Sequence, residues 1–323
     1  MNSDGGSAGG PSTLAQSGLL LVLMTAGISG VSTFVNLYAV PGTNSDAFVT
    51  VRNGAVALLL IPLAVVTTYG AVRAPLSRGD WTRLVLIGIV GGGIPFLLFF
   101  HGLELASAAG AGATASFLYR TLFLIAAVLA IVVLKERFHW RIALAAALLL
   151  GGNLLLLSFT TPIWANGDGY VFAATALWAV EYTISKHTLR RLPSQTVALG
   201  RMGFGALFLV GYLAATEQIS AIGSFNGGQW LWIAISAILL TAFVMAWYAG
   251  LKHVDLSVAT AVLVLGFPIT WLLTVVVSGA SVTFLEVMGA TAIAAGAALI
   301  VGGNSLRSMW EYVRGSFFGR PTT

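Results

Sequence analysis

The sequence contains no cysteine and very little charge. None of its 323 residues is Cys, and Asp, Glu, Lys and Arg together make up 8% of them. The first absence excludes disulfides, thiolate metal sites and cysteine nucleophiles. The second excludes an ordinary soluble domain, in which roughly 25% of residues are charged. Since 58% of the residues are hydrophobic and the mean hydropathy is +0.92, the chain needs lipid as part of its solvent.

Several function classes also lack their sequence features. There is no Gly-x-x-x-x-Gly-Lys-Ser/Thr loop, so ATP does not drive the protein directly. His101 and Glu104 have a spacing that places two ligands on one helical face, but no third ligand accompanies them. No cluster of His, Asp and Ser near one interface marks an intramembrane enzyme. The formal charge of +5 fits basic cytoplasmic loops. The sequence therefore predicts no enzymatic activity, cofactor, metal or nucleic-acid partner.

What the sequence does contain is a series of long apolar runs. A helix crosses the hydrocarbon with about 20 apolar residues. Residues 1–14 are Gly/Ser-rich without Lys or Arg, which predicts a disordered tail and no signal peptide. After that tail, ten stretches have the required length: 15–38, 48–69, 82–103, 107–134, 141–160, 169–189, 196–216, 230–251, 256–277 and 283–303.

The basic residues are distributed asymmetrically about these ten spans. Three of the 16 lie inside spans, namely Arg52, Arg120 and Arg201, and the other 13 fall on one side. The opposite loops contain no Lys or Arg. The positive-inside rule then places both termini in the cytoplasm of a multi-pass protein of the cell membrane. The tail 304–323 has apolar residues at helical spacing, which predicts either a short interfacial helix or a frayed cytoplasmic end.

The two halves of the chain share a pattern. Val51-Arg-Asn-Gly-Ala, at the start of the second span, corresponds to Gly200-Arg-Met-Gly-Phe, at the start of the seventh. Because five spans per half is an odd number, the second copy must enter the membrane from the opposite face. The predicted fold is an all-α integral membrane protein of ten transmembrane helices, arranged as two inverted five-helix repeats. These repeats span 15–160 and 161–303.

Particular motifs give the chain a resemblance to a known family. They are Trp178-Ala-Val-Glu-Tyr-Thr-Ile-Ser-Lys186, Leu134-Lys-Glu-Arg137, Phe267-Pro268 and the two repeat arginines, in this order and spacing about the spans. The chain resembles the drug/metabolite transporter superfamily, and within it the ten-helix EamA-type transporters, over nearly its whole length. The resemblance implies two inverted halves around a central cavity and ATP-independent export of small metabolites, often amino acids. It also places Glu181 one turn from a proton-binding glutamate of small multidrug relatives.

Two ionisable residues are predicted near the middle of spans. A charge at the depth of Arg120 costs about 2.5–3.5 kcal/mol, so it should turn inward and find a partner. Glu181 is the acidic residue at comparable depth, and we expect it to pair with Arg120 or to act as the coupling group. In the functional interpretation, Arg120 attracts a solute carboxylate or phosphate, and Glu181 binds a proton or a solute amine. In the alternative, the pair only locks two spans together. Arg52 and Arg201 are expected to reach the headgroups or to form a gate salt bridge.

Aromatic and glycine-rich segments complete the predicted site. Aromatic side chains at similar depths could line a cavity; they are Phe99, Tyr119, Trp178, Tyr182, Trp247, Tyr248 and Trp271. Gly91, Gly92 and Gly93 before Pro95 should kink or unwind the third span, and Gly266 with Pro268 should bend the ninth. His101 is a candidate for an outer gate.

The predicted function is secondary-active efflux of a small solute by a monomer in contact with membrane lipids, with protons as the candidate coupling ion. An exchanger or uptake carrier for anionic metabolites, either organic acids or phosphorylated compounds, is the alternative within transport. An intramembrane enzyme or a lipid-handling protein is the alternative from another class.

Overall fold

A computed structural model describes residues 11–39, 42–71, 75–108, 112–137, 140–157, 164, 166–279 and 281–302. Within these ranges all regular structure is helical, and no strand is present. The first helix begins at Pro11, where the fixed φ of proline and its missing N–H suit a first helical position. Residues 11–14 are thus helical, ahead of the predicted start at 15. Residues 1–10 and the predicted interfacial helix in 304–323 lie outside the described residues.

The helical elements follow one another with short connections. They are α1 (Pro11–Ala39), α2 (Ser45–Ala71), α3 (Arg78–Ile87), a π-helix (Gly88–Gly93), α4 (Ile94–Ala108), α5 (Gly112–Arg120), α6 (Leu122–Val132), α7 (Trp140–Leu156), α8 (Asp168–Thr188), α9 (Ser194–Ala215), α10 (Ser220–Gly223), α11 (Gly227–Leu251), α12 (Leu256–Leu263), α13 (Gly266–Ser278) and α14 (Phe284–Val301).

Seven helical runs among the described residues are long and apolar enough to cross a membrane: Ala15–Ala39, Ser45–Val66, Arg78–Ala106, Ser194–Ala215, Gly227–Leu251, Leu256–Ser278 and Phe284–Val301. Two shorter apolar helices, Ser116–Val132 and Trp140–Leu156, accompany them. Helix α8 is 21 residues long but buries polar side chains, among them Thr175, Glu181 and Ser185. Large apolar side chains such as Leu58 and Val276 cover the outward surfaces, as lipid contact requires.

The third run departs from α-helical geometry where the sequence predicts it. Gly88–Gly93 form a π-helix that continues directly into α4. In an α-helix the N–H of residue 95 would bond the carbonyl of residue 91, but Pro95 has no N–H. The carbonyl of Gly91 is therefore available to other donors. The span thus departs from α-helical geometry at the predicted place, but as a continuous π-helix and not as an unwound stretch.

Two further helical runs are interrupted near their middles. Helix α5 ends at Arg120, and α6 begins at Leu122 after one turn residue. Helix α12 ends at Leu263, and α13 begins at Gly266, so Pro268 falls in a first helical turn, where a missing N–H costs little. The interruption before Gly266 agrees with the predicted bend.

Helices from the first part of the chain pack mainly on helices from the second part. Helix α2 lies along α9, and α7 lies along α14. Helix α1 packs on α11 and α13, and α8 packs on α4 and α6. The π-helix packs against α9 and α8, which brings its free carbonyls to the centre of the molecule. This placement determines where polar groups from α8 and α9 can find partners.

Candidate functional site

Glu181 lies at the centre of a buried polar group. Its side chain, on α8, is wholly buried. The Tyr248 hydroxyl, from α11, donates a hydrogen bond of 2.7 Å to Glu181 Oε1. The Ser185 hydroxyl, one helical turn along α8, donates to the same oxygen. The second oxygen, Oε2, accepts no hydrogen bond from the described residues. A carboxylate in such a place needs a charged partner, because desolvation penalises an isolated ion.

Arg201 supplies that partner. Its Nη1 lies 3.6 Å from Glu181 Oε2, and its side chain on α9 is only 4% exposed. The guanidinium also donates from Nη2 to the carbonyl of Gly91 at 3.3 Å and from Nη1 to the Tyr248 hydroxyl at 3.4 Å. The ring of Tyr182 lies 5.6 Å from its Cζ. The two residues therefore form an electrically neutral ion pair inside the helical bundle, and both are hydrogen-bonded to the Tyr248 hydroxyl.

The π-helix provides the backbone on which this pair rests. Trp178 Nε1 donates to the Gly91 carbonyl at 3.0 Å, alongside Arg201. The next carbonyl, of Gly92, accepts from Asn53 Nδ2 at 3.1 Å. The absence of a side chain at Gly91 lets Glu181 take this position, because a Cβ there would overlap Cγ of Glu181. Three glycines and a proline thus create two acceptors that side chains from three other helices use.

Most of the predicted aromatic residues pack close to the pair or to one another, and their role as the wall of a solute cavity stays a prediction. The Trp178 ring lies 5.4 Å from both Phe96 and Phe99 and 5.5 Å from Tyr119, between centroids. Tyr182 lies 4.6 Å from Trp247 on the other side. Trp271 is separate, because it packs against an apolar cluster that includes Phe123, Leu149 and Ile293.

The expectation that Arg52 and Arg201 reach the headgroups is wrong. Both residues are only 3% exposed. Arg52 donates from Nε and Nη2 to Asn53 Oδ1, at 3.2 and 3.1 Å. Its Cζ lies 5.7, 5.0 and 5.8 Å from the ring centroids of Phe48, Phe96 and Phe100. Arg52 lies among groups of its own helix and of α4, whereas Arg201 pairs with Glu181 of α8.

The expected pairing of Arg120 with Glu181 is also wrong. Arg120 closes α5, and its Cζ lies 3.0 Å from the ring centroid of Phe267 on α13. Its Nε is buried and donates no hydrogen bond to the described residues. Glu181 pairs with Arg201 because α9 presents that residue directly across from α8. The similar predicted depths of Arg120 and Glu181 did not indicate which helix faces contact each other.

The outer His101 and Glu104 do not form a metal centre. Both side chains are exposed, and the His101 ring packs edge-on against Tyr170 at 5.1 Å. No group of three or more His, Cys, Asp or Glu residues in the described part of the chain could hold a metal ion.

A second polar cluster joins the turn after α6 to the start of α12. Glu136, of the Leu134–Arg137 motif, accepts from the backbone N–H of Leu256 at 2.7 Å and of Ser257 at 3.2 Å. It also accepts from the Ser257 hydroxyl at 2.6 Å. A carboxylate is favoured at a helix N-terminus by its free N–H groups. Sequence reasoning recognised the motif but not this capping role.

Lys186 binds the other side of the same connection. Its Nζ donates to the carbonyls of Leu251 and Val254, each at 2.7 Å, and so caps the end of α11. Burial, together with Lys252 and Lys186, holds the pKa of the nearby His253 below its usual value. His253 therefore adds no positive charge to this cluster at neutral pH.

Sequence reasoning missed three members of the central group. Ser185 is four residues after Glu181, a spacing that places both on one helical face. Asn53 adjoins a repeat arginine, and Arg201 is the second repeat arginine. The internal repeat was therefore the signal that could have located the group.

Comparison with known proteins agrees with this fold. A model of the EamA-like transporter family matches residues 16–158 and 165–302. A crystal structure of a protein has a TM-score of 0.70 to this chain at 19% identity, covering 88% of this chain and 96% of the other, which shows a shared fold. No curated protein is significantly similar. The two family matches together cover most of the sequence, so the chain belongs to the EamA-like transporter family, whose members are multi-pass membrane transporters of the drug/metabolite type.

Proposed function

We propose that this chain is a secondary-active transporter that exports small metabolites, such as amino acids or related compounds, by alternating access around a midplane site. The observation that carries the proposal is the buried Glu181–Arg201 pair held against the π-helical backbone at Gly91. Intramembrane ionisable groups are costly and usually functional. π-Helical turns within a longer helix are also found frequently at functional sites.

Within this site Glu181 is the coupling residue, which binds a proton or a solute amine. Among the described residues, the charged partner of Oε2 is Arg201. A cation that binds Oε2 therefore competes with the Arg201 guanidinium. Arg120 attracts the anionic end of a solute. The proposed walls beside the pair are Phe99, Tyr119, Trp178, Tyr182, Trp247 and Tyr248. Trp271 is proposed at the Arg120 end, because it packs on the same apolar cluster as Phe267.

The proposed architecture has ten spans in two inverted repeats. The seven long apolar runs, the two shorter apolar helices and α8 together make ten. Exchanging the halves maps α1 on α8, α2 on α9, α4 on α11, α6 on α13 and α7 on α14. Under this exchange the pair α1–α11 becomes α8–α4, and α8–α6 becomes α1–α13. All of these pairs pack in the fold, which supports an approximate two-fold relation.

The moving parts are proposed at the π-helix of the third run and at the break between α12 and α13. Gly91, Gly92, Gly93 and Pro95 form one hinge, and Gly266 with Pro268 forms the other. His101 acts at the outer gate. In this proposal the protein works as a monomer in the cell membrane with both termini in the cytoplasm.

Transport into proteoliposomes tests the function. We expect net movement of one class from a panel of amino acids, organic anions and amines, and we expect a pH gradient to change its rate. Glu217→Gln, which alters an acidic residue in the connection after α9, should transport as the wild type does. Lack of transport of every class, in vesicles that contain folded protein, would contradict the proposal.

The orientation of the chain can be determined in whole cells with introduced single cysteines, because the chain itself has no cysteine. Single cysteines at Pro75 and Ser224 replace exposed residues on opposite predicted faces. An impermeant thiol reagent applied to whole cells should label the Ser224 position and leave the Pro75 position unlabelled. The reverse result would exclude cytoplasmic termini.

A second transport function is favoured by Arg120, whose buried Nε lacks a partner among the described residues. A carrier that takes up or exchanges organic acids or phosphorylated compounds would use this cation directly. The panel separates the two functions, since an anion carrier should move organic anions without requiring a proton gradient.

In the proposed cycle Glu136 has a gating role: its hydrogen bonds to the start of α12 hold this helix in place when the predicted cytoplasmic face is closed. Hydrogen bonds to charged groups contribute about 1.5–3 kcal/mol, so Glu136→Gln should increase opening at α12 by about tenfold or more. A single cysteine at the buried Ala259 on α12 reports this opening as faster thiol labelling in inside-out vesicles. Glu286→Gln is the matched control, because Glu286 caps α14 at the predicted opposite face. Equal labelling in the two variants would remove the gating role of Glu136.

A further inference from the structure

Two repeat arginines occupy corresponding positions, but within the described residues only Arg201 has an acidic partner. Arg201 follows Glu181 by 20 residues and pairs with it. The residue 20 positions before Arg52 is Ser32, on α1. Helix α1 contains no Asp or Glu at all. In the second half, Glu181 neutralises the charge of Arg201. In the first half, α1 has no acidic residue that could neutralise Arg52.

The surroundings of Arg52 do not replace that missing charge. Its hydrogen bonds go to the neutral amide oxygen of Asn53, and it forms no ion pair within the described part of the chain. The rings of Phe48, Phe96 and Phe100 interact with the cation but carry no net charge. A buried cation with only this compensation is well suited to bind an anion from outside the protein, because guanidinium geometry matches a carboxylate.

The position of Arg52 connects it to the central pair. Phe96 contacts both the Arg52 guanidinium, at 5.0 Å, and the ring of Trp178, at 5.4 Å. Asn53, which binds Arg52, donates to the Gly92 carbonyl, and Arg201 donates to the adjacent Gly91 carbonyl. Adjacent residues are about 3.8 Å apart along the backbone. Arg52, which has no ion pair among the described residues, and the paired Glu181 are thus linked through Asn53, two adjacent backbone carbonyls and Arg201.

We propose that Arg52 binds the carboxylate of the transported solute, so that a small zwitterion is held between Arg52 and Glu181. This inference rests on the proposed function and extends it by assigning the solute carboxylate to Arg52, a binding residue in addition to Arg120. The solute carboxylate takes the role that an acidic side chain would have in the first half.

Calorimetric binding to the purified full-length protein tests the proposal. The probes are L-phenylalanine, chosen because aromatic rings line the path, and L-phenylalaninamide, which has the amine but no carboxylate. The wild type should bind the acid more tightly than the amide. Arg52→Gln should weaken binding of the acid by about 10- to 100-fold, as expected when a charged hydrogen bond is lost. Binding of the amide should stay unchanged, and Arg52→Lys should restore part of the affinity for the acid.

Several results would overturn the proposal. One is equal loss of acid and amide binding in Arg52→Gln with an unchanged melting temperature. Another is selective loss in Arg120→Gln but not in Arg52→Gln. A third is no binding of phenylalanine or any other common amino acid by the wild type. A fourth is an effect of Arg52→Gln that is seen in protein supplied with anionic lipid and is absent in protein supplied with phosphatidylcholine, because Arg52 would then bind a lipid headgroup. If the wild type transports solutes but does not prefer those with a carboxylate, this inference alone is overturned. If it binds the acid in preference to the amide but transports neither, the proposed function alone is overturned.

Discussion

Replacing Glu181 by Gln should reduce solute transport to the level of empty vesicles and should also lower the stability of the purified protein. Gln keeps an acceptor for the Tyr248 and Ser185 hydroxyls, so those two hydrogen bonds can persist. The change leaves the buried Arg201 without a counter-charge. Breaking one side of a buried ion pair costs about 3–5 kcal/mol. Transport is measured in proteoliposomes, and stability is measured by thermal unfolding in detergent.

A double variant separates the structural role of this pair from its functional role. Glu181→Gln combined with Arg201→Gln removes both charges, and neutral replacements of a buried pair are often close to neutral in stability. We expect the double variant to recover most of the lost stability and none of the transport. A double variant that transports at the wild-type rate would reduce Glu181 and Arg201 to a structural bridge. Glu217→Gln controls for the loss of an acidic residue elsewhere.

Sequence patterns predicted the parts of this fold that depend on local physical chemistry. Apolar runs located the long helices because the hydrocarbon thickness sets their length. Gly91 to Gly93 with Pro95 predicted the departure from α-helix, since the missing N–H of Pro95 acts on the same turn. The repeat placed Arg52 and Arg201 at matching positions. These features require information from only a few neighbouring residues, or from comparison of one half with the other.

The side-chain partners could not be predicted in the same way. Whether Glu181 meets Arg120 or Arg201 depends on how α5, α8 and α9 are rotated about their axes, and equal depth leaves that rotation undetermined. The bond from Trp178 to the Gly91 carbonyl joins residues 87 positions apart. Arg52 remains inside because Phe96 and Phe100 of α4 reach it, which no spacing within α2 could indicate.

The central group joins three segments that would move relative to one another in the proposed transport cycle. Arg201 on α9, Trp178 on α8 and the π-helix share the carbonyl of Gly91. Rearrangement of the π-helix therefore changes the hydrogen bonding of the residue that compensates Glu181. This link makes occupancy of the site and the conformation of the third run mutually dependent in the proposed mechanism. Altering the packing of the π-helix should consequently affect transport as strongly as removing a charge.

Gly92→Ala is expected to have the second large effect. A Cβ at Gly92 would overlap the backbone carbonyl oxygen of Arg201 and lie 3.1 Å from Cα of Gly205. No rotamer change relieves a clash with backbone, so α9 would have to shift. We expect a loss of about 3 kcal/mol or more, at or above the upper end for overpacking, together with loss of transport. Thermal unfolding and proteoliposome transport measure the two effects.

Two other glycines make this prediction specific. Gly211→Ala, on α9, adds a methyl group where nothing lies within 4 Å, so stability should be unchanged or slightly higher because alanine favours a helix. Gly91→Ala meets Cγ of Glu181, a side chain that can move. That variant should fold but transport poorly, because the carboxylate is displaced from Arg201 and Tyr248. If Gly92→Ala were as stable as Gly211→Ala, the π-helix would not pack against α9 as described, and the backbone support proposed for Arg201 would be lost.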